Sequence, residues 1–287
     1  MEIQWLSVVD VPINRIVLLH AKLQSSGCRA TDFYVPSAWK FHKSNMPSRP
    51  YRYFDLVMAA FVAVLLISNV ASSAKIVDAG FSIWGLRLSF DGGTLLFPLS
   101  YIFGDILTEV YGYARSRRVI WSGFAAALLM SASMWLIQIL PGEEAWRGYA
   151  GDSAFSAILG SVSSGGIVFA SLLAYLFGEF SNSFVLAKMK VWMSGRHLWM
   201  RTIGSTLVGE GLDTVVFITL ACAFGVFPWA IALSLIAANY IFKVGIEVVL
   251  TPVTYRVVAF LKRSEHEDFY DRKTDFNPFH IIDKYNK

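Results

Sequence analysis

Charge is what this chain has least of. Lys, Arg, Asp and Glu make up 16% of its 287 residues, where a soluble domain carries about 25%. None occurs from Val119 to Leu140, a run long enough to cross a hydrocarbon core. With 55% hydrophobic residues and a mean hydropathy of +0.50, soluble, fibrous and disordered classes are excluded. Cysteine is nearly missing: Cys28 and Cys222 are expected as free thiols, and no CxxC spacing offers a disulfide framework or a zinc site. Histidine is missing from the apolar runs. His20, His42, His197, His266 and His280 all lie outside them, so no intramembrane imidazole can activate a nucleophile or hold a metal. No GxxxxGKS/T phosphate loop is present, which excludes ATP hydrolysis by that device. The expectation is a protein that is not an enzyme and uses no cofactor. A cleavable secretory signal is absent as well, because Ile13 to Leu23 is short, interrupted and followed by no small-residue cleavage site.

What is present is an organised series of apolar spans. Residues 1–50 read as a cytosolic leader, with room for one short amphipathic helix at Val11 to Leu23. Residues 51–263 form the membrane domain, and 264–287 a cytosolic C-terminal tail. The spans run from about Phe54 to Val77, Thr94 to Tyr113, Val119 to Leu140, Val162 to Leu186, Thr202 to Phe224, and from Trp229 past Leu250. Lipid leaves the backbone no option but helix, so the fold class is all-α, a polytopic bundle of six transmembrane helices. Gly225-Val226-Phe227-Pro228 makes spans five and six a tight hairpin, and Pro252 is expected to kink or end span six. The formal charge of +4 and pI near 9.0 invite a nucleic-acid reading. The basic residues instead flank the spans. Lys40, Lys43, Arg49 and Arg52 precede the first; Arg115, Arg117 and Arg118 follow the second; Lys188, Lys190, Arg196 and Arg201 follow the fourth; Lys262, Arg263, Arg272 and Lys273 follow the sixth. The alternate loops hold only Lys75, Arg87 and Arg147. By the positive-inside rule both termini are cytosolic, which makes the lipid bilayer, not nucleic acid, the partner.

Two spans carry small residues four apart: Gly166, Ala170, Ala174 and Gly178 on the fourth, Gly123, Ala127 and Ser131 on the third. These stripes let helices approach closely; the third leaves open a homodimer.

The polar residues inside the spans carry the function. Asp105 and Glu109 share one face of span two, Glu179 and Asn182 end span four, and Glu210 and Asp213 share a face of span five. Asn239, Lys243 and Glu247 form one stripe on span six, and span one adds Asn69 and Lys75. Each Asp or Lys at a helix centre costs roughly 2.5 to 3.5 kcal/mol on insertion scales, so such residues face a bundle interior or a wet cavity. At about 1.5 Å per residue, Asp105, Glu210 and Asp213 reach similar depth near the midplane. Asp105, Glu109, Glu179, Glu210, Asp213 and Glu247 outnumber Lys75 and Lys243 by four, an excess that pairing, water or bound protons must offset. Blander readings stay open: Lys243 and Glu247 can neutralise each other at i,i+4, Glu109 and Glu179 can be interfacial, Lys75 can snorkel outward, and Tyr101 can be plain packing. Gly104-Asp105, Gly178-Glu179 and Gly209-Glu210 repeat one pattern, in which glycine lets a neighbour come close beside the carboxylate.

The segment Phe97-Pro-Leu-Ser-Tyr-Ile-Phe-Gly-Asp105-Ile-Leu-Thr-Glu109-Val-Tyr-Gly-Tyr113 resembles the signature helix of the bacterial queuosine-precursor transporter family, also called vitamin uptake transporters. Ser68-Asn69 through Lys75, Gly178-Glu179-Phe-Ser-Asn182-Ser, Arg201 through Asp213, and Lys243 through Pro252 are similar to its other marks. The resemblance covers about Tyr53 to Lys262 and leaves the leader outside. It implies a six-helix inner-membrane importer of 7-cyano-7-deazaguanine (preQ0) or its 7-aminomethyl relative (preQ1), a deazapurine needed for queuosine in tRNA. Asn69, Tyr101, Asp105, Glu109, Glu179, Asn182, Glu210, Asp213 and Lys243 become the candidate substrate-binding residues. Asp213 or Glu210 is expected to take the guanine-like edge, Asp105 and Glu109 to shape the site or carry a proton. A substrate-capture subunit of an ATP-driven importer, docked through Ala59 and Ala63, is the first alternative. A scaffold whose charges only pair helices is the second.

Overall fold

The computed structural model describes residues 51–83 and 86–280; the leader, with its Val11 to Leu23 segment and Cys28, lies outside the described residues. Among the described residues five helical segments are long and apolar enough to cross a membrane, and they make this a multi-pass membrane protein. The chain order is α1 (Phe54–Ala74), β1 (Ile76–Ile83), β2 (Leu86–Asp91), a 3-10 turn (Gly92–Leu95), α2 (Phe97–Tyr111), α3 (Tyr113–Ile139), α4 (Glu144–Tyr149), α5 (Gly151–Ser163), α6 (Gly165–Trp192), α7 (Leu198–Ala223), a second 3-10 turn (Trp229–Ile231) and α8 (Ala232–Glu265).

Several elements differ from the sequence expectation. An antiparallel hairpin, β1 with β2, occupies what reads as loop after span one, an addition to a fold that is consistent with the all-α class. The expected second span is only 15 residues of α-helix, about 22 Å at 1.5 Å per residue, too short to cross alone. Twelve of the 15 are buried, which makes α2 a central post surrounded by protein. The expected fourth span, about Val162 to Leu186, is α6, which begins at Gly165 after a break at Ser164; the helix before the break, α5, was not expected. Pro252 neither ends nor interrupts α8, which continues 34 residues to Glu265; the hydroxyl of Thr251 donates to the Glu247 carbonyl at 2.9 Å beside it. The turn before α8 is tight as expected, with Val226 N–H donating to the Ala221 carbonyl at 2.9 Å.

Only Gly112 separates α2 from α3. Its φ of +85° is the region glycine tolerates, and the Phe269 ring fills the place of the missing side chain. The cations assigned to loops are therefore mostly helical: Arg115 and Arg117 in α3, Lys190 in α6, Arg201 in α7, Lys262 in α8.

Residues 266–280 fold back across the end of the bundle holding these cations. The Asp271 carboxylate accepts the N–H of Tyr113 at 3.1 Å from both oxygens, and Glu265 accepts those of Arg52 and Tyr53 at 2.9 and 2.6 Å. The two acids thus serve the N-termini of α3 and α1, where unpaired amides and the helix dipole favour negative charge. Arg117 donates to the carbonyls of Asp275 and Asn277, and Trp121 Nε1 to that of Pro278. Tyr51 donates to Glu267 at 2.9 Å, so the first and last described segments meet at one end of the bundle.

The small-residue stripes have intramolecular partners. Gly123 lies against Phe61, Leu65 and Tyr175, and Ala127 and Ser131 are buried with it; the third-span stripe is packed inside the chain. On α6 the stripe meets α7 at a backbone crossing. A Cβ on Gly209 would stand 2.7 Å from that of Asn182 and 3.0 Å from the Gly178 carbonyl, and one on Gly104 would stand 2.9 Å from Glu179. All three glycine–acid pairs sit at close approaches between helices.

The crossing yields a prediction. Gly209→Ala should destabilise the detergent-solubilised protein by about 1 to 3 kcal/mol through overpacking. Gly211→Ala, where the nearest atom to a new Cβ is 3.6 Å away, should leave it unchanged or raise stability by up to about 1 kcal/mol through helix propensity. Thermal unfolding of the pair measures both, and equal melting temperatures would contradict the crossing.

Candidate functional site

Polar residues recur every fourth position on the helices around the bundle centre, which stacks them on one face about 6 Å apart. On α2 the stripe is Phe97, Tyr101, Asp105 and Glu109; on α6 it is Ser171, Tyr175 and Glu179; on α8 it is Asn239, Lys243 and Glu247. On α7, Thr206, Glu210, Asp213 and Phe217 follow the same face less strictly. The stripes face one another and divide the interior into three levels.

The uppermost level is a cavity of about 290 Å³, near the lower end of ligand-binding pockets at about 300 Å³. Asn69, Tyr101, Glu179, Asp213 and Lys243 are among its polar groups, with Asp91, Thr214 and Asn239, and Phe97, Tyr175, Phe217 and Phe227 form its aromatic walls. Lining residues near the hairpin and the α7–α8 turn, such as Asn69 and Phe227, are half-buried, whereas Tyr101, Glu179 and Thr214 at the opposite end are buried. The cavity therefore opens beside the hairpin and closes inward. At its floor Glu179 is 1% exposed. Neither Glu179 oxygen has a hydrogen-bond partner, nor do the hydroxyls of Tyr101 and Thr214. Buried polar groups are ordinarily paired, and each one left alone costs about 1 to 3 kcal/mol. A pocket lined by several such groups is built to receive hydrogen bonds from something else. Along one wall Lys243 Nζ stands 2.6 Å from Asp213 and 3.0 Å from Glu210, and 5.3 Å from the centre of the Phe97 ring. Lys243 thus pairs across to α7 and not with Glu247 on its own helix.

Beneath the floor lies a smaller polar layer. Asn182 Nδ2 donates to Asp105 at 2.8 Å, and the Thr206 hydroxyl donates to Glu247. Asp105 and Glu247 are 1% and 2% exposed, and neither lines the cavity.

The lowest level is an ion cluster around Glu109, which is fully buried. Arg201 grips its carboxylate with two nitrogens at 2.5 and 3.1 Å, the bidentate arrangement that makes Arg–carboxylate pairs strong. Lys262 reaches it at 2.5 Å and Lys190 at 3.6 Å. Asp268, from the folded-back segment, joins Lys190 at 2.6 Å and Lys262 at 2.8 Å. Partial burial alone would raise its carboxyl, but hydrogen bonds from the two ammonium groups outweigh that and hold it below the ordinary range. Asp271 is raised by burial, against the opposing pull of the Thr274 hydroxyl and the Tyr113 N–H.

Five of the nine candidate residues, Asn69, Tyr101, Glu179, Asp213 and Lys243, thus line one cavity. Glu210 stands behind Lys243, Asp105 and Asn182 pair under the floor, and Glu109 belongs to the ion cluster. Neither Glu109 nor Glu179 is interfacial; both are buried in protein. Phe97, which the sequence offers among the span-two aromatics as packing or as a ring-stacking wall, does line the cavity. Sequence reasoning missed Ser171, Tyr175 and Phe217, although extending the acidic stripes by one or two turns toward the hairpin side reaches them. It also missed the burial of Lys190, Arg201 and Lys262, which read as ordinary flanking cations because nothing local distinguishes them from solvated ones.

The chain is similar to proteins described as transporters. A family described as "Putative vitamin uptake transporter" matches residues 91–257, more than half of the chain. A "Queuosine precursor transporter" of Escherichia coli (strain K12) is 26% identical over 219 residues, covering 75% of this chain and 90% of that protein. A "Probable queuosine precursor transporter" of Bacillus subtilis (strain 168) is 25% identical over 174 residues, 60% of this chain and 73% of that one. One of the same description from Haemophilus influenzae is 27% identical over 174 residues, 58% and 67% respectively. No solved structure matches the chain.

The ion cluster predicts a large stability effect. Glu109→Ala leaves Arg201, Lys190 and Lys262 crowded with only Asp268 to offset them, and breaking a buried pair in this way costs about 3 to 5 kcal/mol. Thermal unfolding in detergent should show that loss. A melting temperature equal to wild type would mean that water enters the base of the bundle freely.

Proposed function

The chain belongs to the vitamin uptake transporter family, and from that premise we propose that it imports a queuosine precursor, 7-cyano-7-deazaguanine or its aminomethyl relative, across the bacterial inner membrane. One observation carries the reading: a cavity of small-molecule size whose floor is a buried carboxylate, Glu179, with both oxygens unpartnered. A deazaguanine presents an adjacent ring N–H and exocyclic NH2, two donors that one carboxylate can accept together. Glu179 takes that edge. The sequence reading favoured Asp213 or Glu210, but both are engaged by Lys243, which leaves Glu179 the freer acceptor. Lys243 and Asn69 are then the donors for the cargo's carbonyl and 7-substituent, and Phe97 and Phe217 stack on its rings. An adenine-like ring offers no such donor pair, and leaving Glu179 unmatched against it costs selectivity-sized energy.

The orientation follows from charge. Arg115, Arg117, Lys190, Arg201 and Lys262 gather at the Glu109 end, which supports a cytosolic assignment for that end and for both termini. The cavity then faces the non-cytosolic side, ready to load, and α2 serves as the sixth helix of the bundle, lengthened by the 3-10 turn before it.

The test supplies 7-cyano-7-deazaguanine at low concentration to cells that cannot make it and scores queuosine in tRNA. Wild-type protein should restore the modification. Glu179→Gln and Tyr101→Phe should weaken direct binding of the compound by about 5- to 150-fold, the equivalent of 1 to 3 kcal/mol, with normal amounts of protein in the membrane. Normal rescue and binding by both variants would remove Glu179 and Tyr101 from the site.

A further inference from the structure

Two acids under the cavity floor have no role in holding the cargo, and their bonding is incomplete in a specific way. Asp105 accepts one hydrogen bond, from Asn182 Nδ2 at 2.8 Å. Its other oxygen, Oδ2, and the Asn182 carbonyl oxygen, Oδ1, both lack a partner. Two acceptors on one acid–amide pair are short of a single donor, and a proton on Asp105 supplies it: the acid O–H can donate to the amide while the amide N–H donates to the acid. Glu247 repeats the deficit. Thr206 donates to one oxygen, and the other has no partner.

The surrounding charges argue the same way. Glu179 from α6 and Glu109 from α2 act on Asp105, and so does Arg201 from α7. Arg201 is already held by both oxygens of Glu109. Asp105 from α2 and Glu210 from α7 act on Glu247. Among the described residues no cation forms an ion pair with either acid. An ionised carboxylate with one neutral hydrogen bond and, unlike Glu179, no cavity beside it is very costly unless it takes a proton.

We infer that Asp105, with Asn182 as its partner and Glu247 beside it, binds a proton between the cavity and the Glu109 cluster, and that this proton travels with the cargo. The inference rests on the cargo proposed above. In the present conformation the layer is buried and the base is closed, a packing that favours neutral acids. For the cargo to leave, α2, α6, α7 and α8 must part below the floor. Water then reaches Asp105 and Glu247, the carboxylic O–H dissociates, and the proton is released on the side where the cargo emerges. Return to the loading state requires a proton to be taken up again from the cavity side. The protein is thereby a proton symporter, and the acid–amide pair is its proton-binding site.

Full-length protein in liposomes containing a pH-sensitive dye tests this, with 7-cyano-7-deazaguanine as the probe. An inside-alkaline gradient of about one pH unit should drive about tenfold accumulation for one proton per cargo, and a protonophore should abolish it. Adding the compound outside without a gradient should acidify the lumen. Asp105→Asn and Glu247→Gln, which fix the neutral form, should bind the compound in detergent about as well as wild type, yet neither accumulate it nor move protons. Wild-type uptake that is indifferent to the gradient and leaves luminal pH unchanged overturns the inference even if both variants fail to fold, while the cargo reading stands. Absence of binding by wild type overturns the cargo reading, and this inference with it.

Discussion

Lipid does not solvate a carboxylate, and the arrangement of this protein follows from how each intramembrane acid meets that constraint. Glu109 is paired with three cations, one of them through a two-pronged guanidinium grip. Asp213 and Glu210 share one ammonium. Asp105 and Glu247 each have a single neutral donor, and Glu179 has none. The two extremes form a gradient: Glu109 at the sealed base has the most partners and Glu179 at the cavity floor has none, while Asp213 and Glu210 at the cavity wall are held by Lys243. A scaffold that used its charges only to join helices would pair them all.

The gradient depends on close helix contact. Gly178 and Gly209 bring α6 and α7 backbone to backbone, and Gly104 brings α2 against the Glu179 carboxylate. Larger residues there would push the stripes apart and admit lipid or water between them. The short α2 has a matching role. Surrounded on all sides, it can carry Tyr101, Asp105 and Glu109 to three successive levels without exposing any of them to the acyl chains.

Much of this is legible in the sequence, because membrane insertion makes polar residues expensive and therefore informative. The helical class, the convergence of acids from separate helices and the glycine–acid pairs all follow from that cost. The limits of α2 and α3 are less legible: hydropathy sees two apolar runs separated by basic residues, whereas the structure turns on Gly112 alone and winds Arg115 and Arg117 into α3. The β-hairpin escapes notice because only its second strand, Leu86-Arg87-Leu88-Ser89-Phe90-Asp91, alternates apolar with polar residues, while 76–83 does not, and a single short alternating run beside long apolar spans reads as loop. Which acid pairs with which base is not local information at all. Lys243 lies one turn from Glu247 yet joins α7, since the crossing of α7 and α8 brings two carboxylates nearer than its own helix does. The cations around Glu109 come from α6, α7 and α8, and their meeting point exists only once those ends are assembled.

The fold-back of residues 266–280 bears on the order in which the protein is made. Glu265 and Asp271 supply the acceptors for the first amides of α1 and α3, and Asp268 completes the charge balance around Lys190 and Lys262. Glu265 is the last residue of the final membrane helix and Asp268 and Asp271 follow it, so a ribosome delivers all three after α1 and α3. Until they arrive the lower end of the bundle stays open and cation-rich. Completion of the lower end is therefore a late step of biosynthesis, since a nascent chain halted before Glu265 lacks all three acids.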